Sequence, residues 1–144
     1  MKAKFSILFL LISTFAFSQE WHETYAFAEK KVQNTQKKLL LVFSGSDWCA
    51  PCIRLDRQLF QSKIFEEYAK EHLVLYKADF PRKKANRPSK EVEKINKRLI
   101  EQYNPEGYFP LAVLLDDKGA ILINFGYENK APEEYISLLN SVQK

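Results

Sequence analysis

The sequence predicts an α/β domain with a mixed central sheet and helices on both faces, and three observations carry that expectation. An unbroken apolar run, Leu39 to Phe43, has strand length and no polar alternation, as strands buried on both faces do. A long stretch with helical apolar spacing separates it from a second strand-like run, His72 to Asp79, and a helical crossover of that kind joins parallel strands. Further on, Leu111 to Leu115 and Ile121 to Phe125 flank Asp116-Asp117-Lys118-Gly119, a turn that returns the second run antiparallel to the first.

In chain order, the first 18 residues stand apart. Lys2 and Lys4 precede an apolar stretch from Phe5 to Phe17, interrupted by Ser6, Ser13 and Thr14, and the small residues Ala16 and Ser18 precede Gln19. This is the layout of a secretory signal peptide cut after Ser18, which leaves a domain of residues 19–144 and places it in the periplasm or otherwise outside the cytoplasm. The 13 apolar-rich residues fall short of the roughly 20 that a membrane span needs. An uncleaved N-terminal anchor is the alternative, and no cysteine stands near the cut to carry a lipid.

Trp21 to Lys38 reads as an amphipathic helix, with Trp21, Tyr25, Ala28 and Val32 at helical spacing. After the first strand, Ser44 to Asp47 is a turn, and helix follows from about Cys49 to Glu71. Leu55, Leu59, Phe60, Ile64, Phe65 and Tyr68 form its apolar stripe, with a break near Gln61-Ser62. Phe80 to Pro88 is a basic loop containing two prolines. Ser89 is an N-cap, with Glu91 and Glu93 in the first turn of a helix that reaches about Tyr103 and turns Val92, Ile95, Leu99 and Gln102 inward. Pro132 opens the last helix, which buries Tyr135, Ile136, Leu138, Leu139 and Val142.

Composition narrows the function. The 144 residues are 46% apolar, with 11 Phe and 7 Tyr, enough for one well-filled core. The formal charge is +4, and two of those charges are the lysines of the leader, so residues 19–144 carry only +2 and give no reason to expect nucleic acid as a partner. Charge is uneven: Arg82 to Arg98 holds eight Lys or Arg against two Glu. Such a run reads as a solvated helix face or as a docking surface for an acidic partner.

The chemistry-bearing residues are Cys49 and Cys52, in Trp48-Cys49-Ala50-Pro51-Cys52, directly after a buried strand and a turn. The first N–H groups of a helix lack intrahelical partners and carry partial positive charge, so a thiolate there is stabilised. The i, i+3 spacing brings both sulfurs within reach of a disulfide. Cys49 is expected to be the partly exposed nucleophile, and Cys52, one turn in and facing the core, the resolving thiol. Ala50 and Pro51 add no polar group, Pro51 suits a first helical turn, and Trp48 is expected to shield the pair. Other uses of the two cysteines fit less well. A disulfide across two residues constrains the unfolded chain little. Zinc needs about four ligands, and His22 and His72 lie far off in sequence. Covalent haem needs His where Ile53 stands. A Cu(I) carrier would lack nearby Met or His, and a non-catalytic binding module would not need the pair.

The segment from Leu40 to Cys52 resembles the active-site strand, turn and helix of thioredoxin-like proteins. It is most similar to the exported bacterial thioredoxin-like group and the C-terminal domain of the thiol:disulfide interchange protein DsbD. The resemblance extends over roughly Trp21 to Val142 and implies a thioredoxin fold. Tyr108-Phe109-Pro110-Leu111 matches the family's cis-proline loop, which implies a cis Phe109–Pro110 bond, Pro110 beside the cysteines, and the Phe109 backbone as a hydrogen-bonding site for bound peptide. Thioredoxins usually carry a buried Asp six residues before the first Cys. Here Phe43 stands at that count, which leaves Asp47 and Asp79 as candidate proton carriers or, alternatively, as rim and strand-end residues. The implied activity is thiol–disulfide exchange without a cofactor, as a monomer. It would run in the reducing direction on disulfide-containing exported proteins, with electrons from a membrane thiol donor; an oxidase or isomerase is the alternative direction.

Overall fold

The computed structural model describes residues 19–142, so the leader expected in residues 1–18 lies outside the described residues. The chain enters as a two-residue strand, β1 (Trp21–His22), and not as helix. Thr24 is the reason: its side chain accepts the Phe27 N–H and starts α1 at Tyr25–Asn34. Trp21 and His22 are left extended and pair parallel with Leu75 and Tyr76. Ala28 and Val32 are the buried stripe of α1.

β2 (Lys38–Ser44) is buried from Leu39 onward. The next helix starts as α2 (Ala50–Leu55), widens into a π-helical turn over Asp56–Phe60, and breaks where Gln61 N–H bonds back to Asp56 O. Ser62 then caps α3 (Lys63–His72) by accepting the Phe65 N–H. β3 (Leu73–Asp79) follows without a loop. The basic loop holds one 3₁₀ turn, Lys84–Asn86, before Ser89 caps α4 (Lys90–Tyr103). The hairpin is β4 (Leu111–Leu115) and β5 (Ile121–Phe125), and α5 (Pro132–Ser141) closes the domain. At the hairpin turn, Gly119 takes φ +78°, a conformation other residues resist, while Asp116 accepts the Lys118 and Ala120 N–H groups.

The sheet order is β1-β3-β2-β4-β5, with β2 parallel to β3 and antiparallel to β4. Period-two alternation along β2 divides the core. Leu40 and Val42 face α2, α3 and α5, packing with Leu55, Leu59, Phe65, Tyr135 and Leu139. Leu39, Leu41 and Phe43 face α1 and α4, packing with Ala28, Val32, Tyr76 and Leu99. The sheet is therefore covered on both sides, as its apolar strands require. On α4 Asn96 and Leu99 are buried and Ile95 packs against the core as expected, whereas Gln102 is exposed. Asn96 is tolerated because it is satisfied: Tyr76 OH donates to its Oδ1 at 2.7 Å, and its Nδ2 donates to Asp79 O. Among the described residues, no helix is long and apolar enough to cross a membrane.

Candidate active site

β2 delivers the chain to one end of the sheet, and the turn Gly45–Trp48 folds it back onto α2. Cys49 N–H bonds to Gly45 O at 2.9 Å, and Cys49 itself is the N-cap of α2. Its Sγ takes the place of a capping oxygen and accepts the Cys52 N–H at 3.3 Å. This is the arrangement the spacing predicted: an orphan helix donor directed at the first sulfur. The two cysteines are joined in a disulfide, with Cα atoms 5.2 Å apart.

The exposure of Cys49 differs from the expectation. It is 4% exposed, the same as Cys52, and so is not partly open to solvent. In the disulfide its sulfur is drawn back over the first turn of the helix, bonded to Cys52 and hydrogen-bonded to the Cys52 amide. Ala50 and Pro51 are the exposed residues of the motif.

Trp48 is fixed from three sides. Its indole lies on Gly45, where any Cβ would collide with it. Nε1–H donates to Phe80 O at 2.8 Å, and the Arg82 guanidinium stands 4.3 Å from the ring centroid. Phe109 meets the ring edge-on at 5.4 Å and meets Phe80 at 5.7 Å. Trp48 therefore joins the cysteine turn, the basic loop and the loop of Phe109. The Phe109–Pro110 peptide is cis, and Pro110 is buried. Asn104, which sequence reasoning passed over, holds that loop: its Oδ1 accepts the Tyr108 N–H at 2.9 Å and its Nδ2 donates to Tyr108 O at 2.8 Å. An Asn just after a helix end was the available signal.

The two aspartates weighed as proton carriers are both hydrogen-bonded to neighbouring loop residues. Asp47 accepts the N–H groups of Arg82 and Lys83 at 2.8 and 2.9 Å, and Asn86 Nδ2 at 3.0 Å. The Arg82 amide first, then Asn86 and Lys83, hold its carboxyl below the usual carboxylate range. Asp47 thus anchors the basic loop. Asp79 ends β3 and accepts the Ser46 N–H at 2.9 Å and the Ser46 hydroxyl. Both are the rim and strand-end residues that the alternative reading described.

Phe43 also needs a correction. It stands at the predicted count before Cys49, but it points to the α1 and α4 face of the sheet. The β2 residue on the α2 face is Val42, whose register partner on β3 is Lys77. Either way the strand offers no acid. Lys77 reaches across to Asp56 on the helix, Nζ to Oδ1 at 2.7 Å, and sequence reasoning had singled out neither residue. A cavity of about 200 Å³ opens there, and Cys52, Asp56 and Lys77 all line it. Among the described residues, no group of three or more His, Cys, Asp or Glu could hold a metal ion.

The geometry finds clear relatives. A family profile for the thioredoxin-like domain matches residues 25–143. The chain is 36% identical over 125 residues to the disulfide bond reductase DsbH of Chlamydia pneumoniae, covering 87% of this chain and 73% of that protein. A solved structure described as DsbH oxidoreductase superposes with a TM-score of 0.80 at 34% identity, over 87% of this chain and 84% of the other. The oxidised C-terminal domain of DsbD from Neisseria meningitidis superposes with a TM-score of 0.58 at 16% identity, over 82% and 91%, a likeness of fold alone.

Proposed function

On the premise that the chain belongs to the thioredoxin-like domain family, we propose that this thiol–disulfide oxidoreductase works in the reducing direction on disulfides of exported proteins. The Cys49 thiolate attacks one sulfur of a partner's disulfide and the partner's other sulfur leaves as a thiolate. Cys52 then attacks Cys49 Sγ, the mixed disulfide breaks, and the second partner sulfur leaves with its electron pair. The partner gains two electrons, and the Cys49–Cys52 disulfide is what remains. A membrane thiol donor returns the couple to its dithiol form. Residues 1–18 carry the chain out of the cytoplasm and are removed after Ser18.

One observation carries the assignment of roles: Cys49 Sγ caps the helix and accepts the Cys52 N–H, so the first sulfur is the one whose negative charge the helix end supports. Trp48, Asp47, Ala50 and Pro51 shape the surroundings, and the Phe109 backbone with cis-Pro110 forms the shelf on which substrate peptide lies. The relative named as a disulfide bond reductase supports the direction.

The potential of the couple tests the reading. A reductase should sit near thioredoxin's, about −270 mV, and a strong oxidant near about −120 mV. In mildly oxidising glutathione the pair should therefore be mostly disulfide, and a pair that stays mostly dithiol assigns the protein to the oxidases. Trapping tests the roles. Cys52→Ala should accumulate mixed disulfides with its substrates, and Cys49→Ala should not. The reverse pattern would exchange the two assignments.

A further inference from the structure

We propose that the Asp56 carboxylate is the proton acceptor and donor for Cys52, acting through water in the cavity between the active-site helix and the β2–β3 strand pair. The inference rests on the exchange chemistry proposed above and adds the group that moves its proton.

The need is physical. Cys52 is 4% exposed, so bulk solvent has little access to its thiol, yet that thiol must lose its proton to attack Cys49. The strand beneath gives no help, because Val42 occupies the α2 face and Phe43 points away. Asp47 and Asp79 are committed to loop amides and to Ser46.

The cavity supplies the route. Cys52 and Asp56 stand four apart, on one face of the helix, and the Asp56 N–H bonds to Cys52 O. Both line the space of about 200 Å³, whose other walls include Ser44, Ser46 and Gln61, so it is polar and has room for several waters. Its charged lining groups are Asp56, Arg57 and Lys77. The Lys77 ammonium is held by two neighbours, 2.7 Å from Asp56 Oδ1 and 4.6 Å from the Trp21 ring centroid. Gln61 Nε2 donates to the other carboxylate oxygen. The Asp56 side chain is 29% exposed, so a proton it receives has an exit to solvent.

The step balances. The Cys52 S–H proton passes through water to the Asp56 carboxylate, and the negative charge moves to sulfur in the cavity that Lys77 also lines. Cys52 thiolate attacks Cys49 Sγ, the partner sulfur leaves with the electron pair, and that thiolate is protonated from solvent. In the recharging direction a donor thiolate attacks Cys49, the Cys49–Cys52 bond breaks, and protonated Asp56 returns the proton to the leaving Cys52.

Reaction of the reduced protein with the chromogenic disulfide of nitrothiobenzoate separates the two events. Attack by Cys49 releases the first nitrothiobenzoate, and attack by Cys52 releases the second. Asp56→Asn should slow the second release about 10²-fold near neutral pH and leave the first unchanged. Lys77→Met keeps the carboxylate, so the second release should stay within a few-fold of the wild-type rate. A second release in Asp56→Asn with the wild-type rate and pH profile would overturn the assignment. So would an equal slowing by Lys77→Met, which marks the ion pair as structural. Release of a single nitrothiobenzoate by the wild type would instead sink the exchange reading itself.

Discussion

Gly45→Ala isolates how much the domain depends on the seat of Trp48. Gly45 is not among the glycines with positive φ, which are Gly107 and Gly119, so its backbone accepts alanine. The obstacle is the new methyl group, whose carbon would stand 2.5 Å from both Nε1 and Cζ2 of Trp48. The neighbour is a rigid ring and has to leave its seat. It then forfeits the hydrogen bond to Phe80 O, about 1 kcal/mol. It also forfeits the edge-on contact with Phe109, about 0.5–1.5 kcal/mol, and the Arg82 contact, about 0.5–1 kcal/mol. The expected loss is about 2.5 kcal/mol, or a Tm lower by roughly 10 °C for a domain of this size. Urea unfolding of the oxidised protein, followed by far-ultraviolet circular dichroism, measures it. Trp48→Ala supplies the control, because the same methyl group should cost almost nothing once the indole is gone. A Gly45→Ala penalty that is the same with and without Trp48 would refute the steric argument.

Asn96→Ala leaves the buried Tyr76 hydroxyl without its acceptor and should cost about 1–3 kcal/mol in chemical denaturation, with part of the loss recovered by adding Tyr76→Phe. Asp47→Asn should lower stability at neutral pH and speed hydrogen exchange of the Arg82 and Lys83 amides. Because the Asp47 carboxyl is held low in the folded state, its contribution is present above the usual carboxylate range and is lost as pH falls through the lower folded value, so variant and wild type should converge in acid. At the other end of the scale, burial pushes the Tyr68 phenol up to about 12. That stabilisation is complete below about pH 10 and is lost as pH rises through about 12, so Tyr68→Phe should unfold less steeply in alkali.

Elements with a strong period were readable from the sequence. β2, β3, the hairpin and α5 all lie within a residue or so of their expected bounds, because each buries an uninterrupted or regularly spaced apolar set. β1 was missed for the opposite reason: two residues hold no period, and Trp21 and Tyr25 happened to fall at helical spacing across the Thr24 cap. Asn96 and Asn104 are polar residues buried by partners distant in sequence or across a loop, and a pattern of apolar positions cannot register them. Counting back from Cys49 gave Phe43 the place of the usual acid, but strand alternation decides the face, and the residue on the α2 face is Val42. Asp56 looked like one more charge on a helix, since its significance comes from Lys77 on a neighbouring strand and from the cavity they share.

The grip of Asp47 on the basic loop runs mostly through main-chain donors, the amides of residues 82 and 83, and only Asn86 contributes a side chain. An amide is supplied by every residue type except proline. The anchor therefore places little demand on which side chain projects from position 83, whereas Arg82 is also held by its guanidinium over the Trp48 ring. Position 83 can be rewritten by an engineer to another residue that keeps its N–H without removing either amide bond to Asp47. The loop is clipped to the cysteine turn mostly by its backbone, with Arg82 covering Trp48 and Asn86 reaching Asp47, and the side chain at position 83 is left for other work.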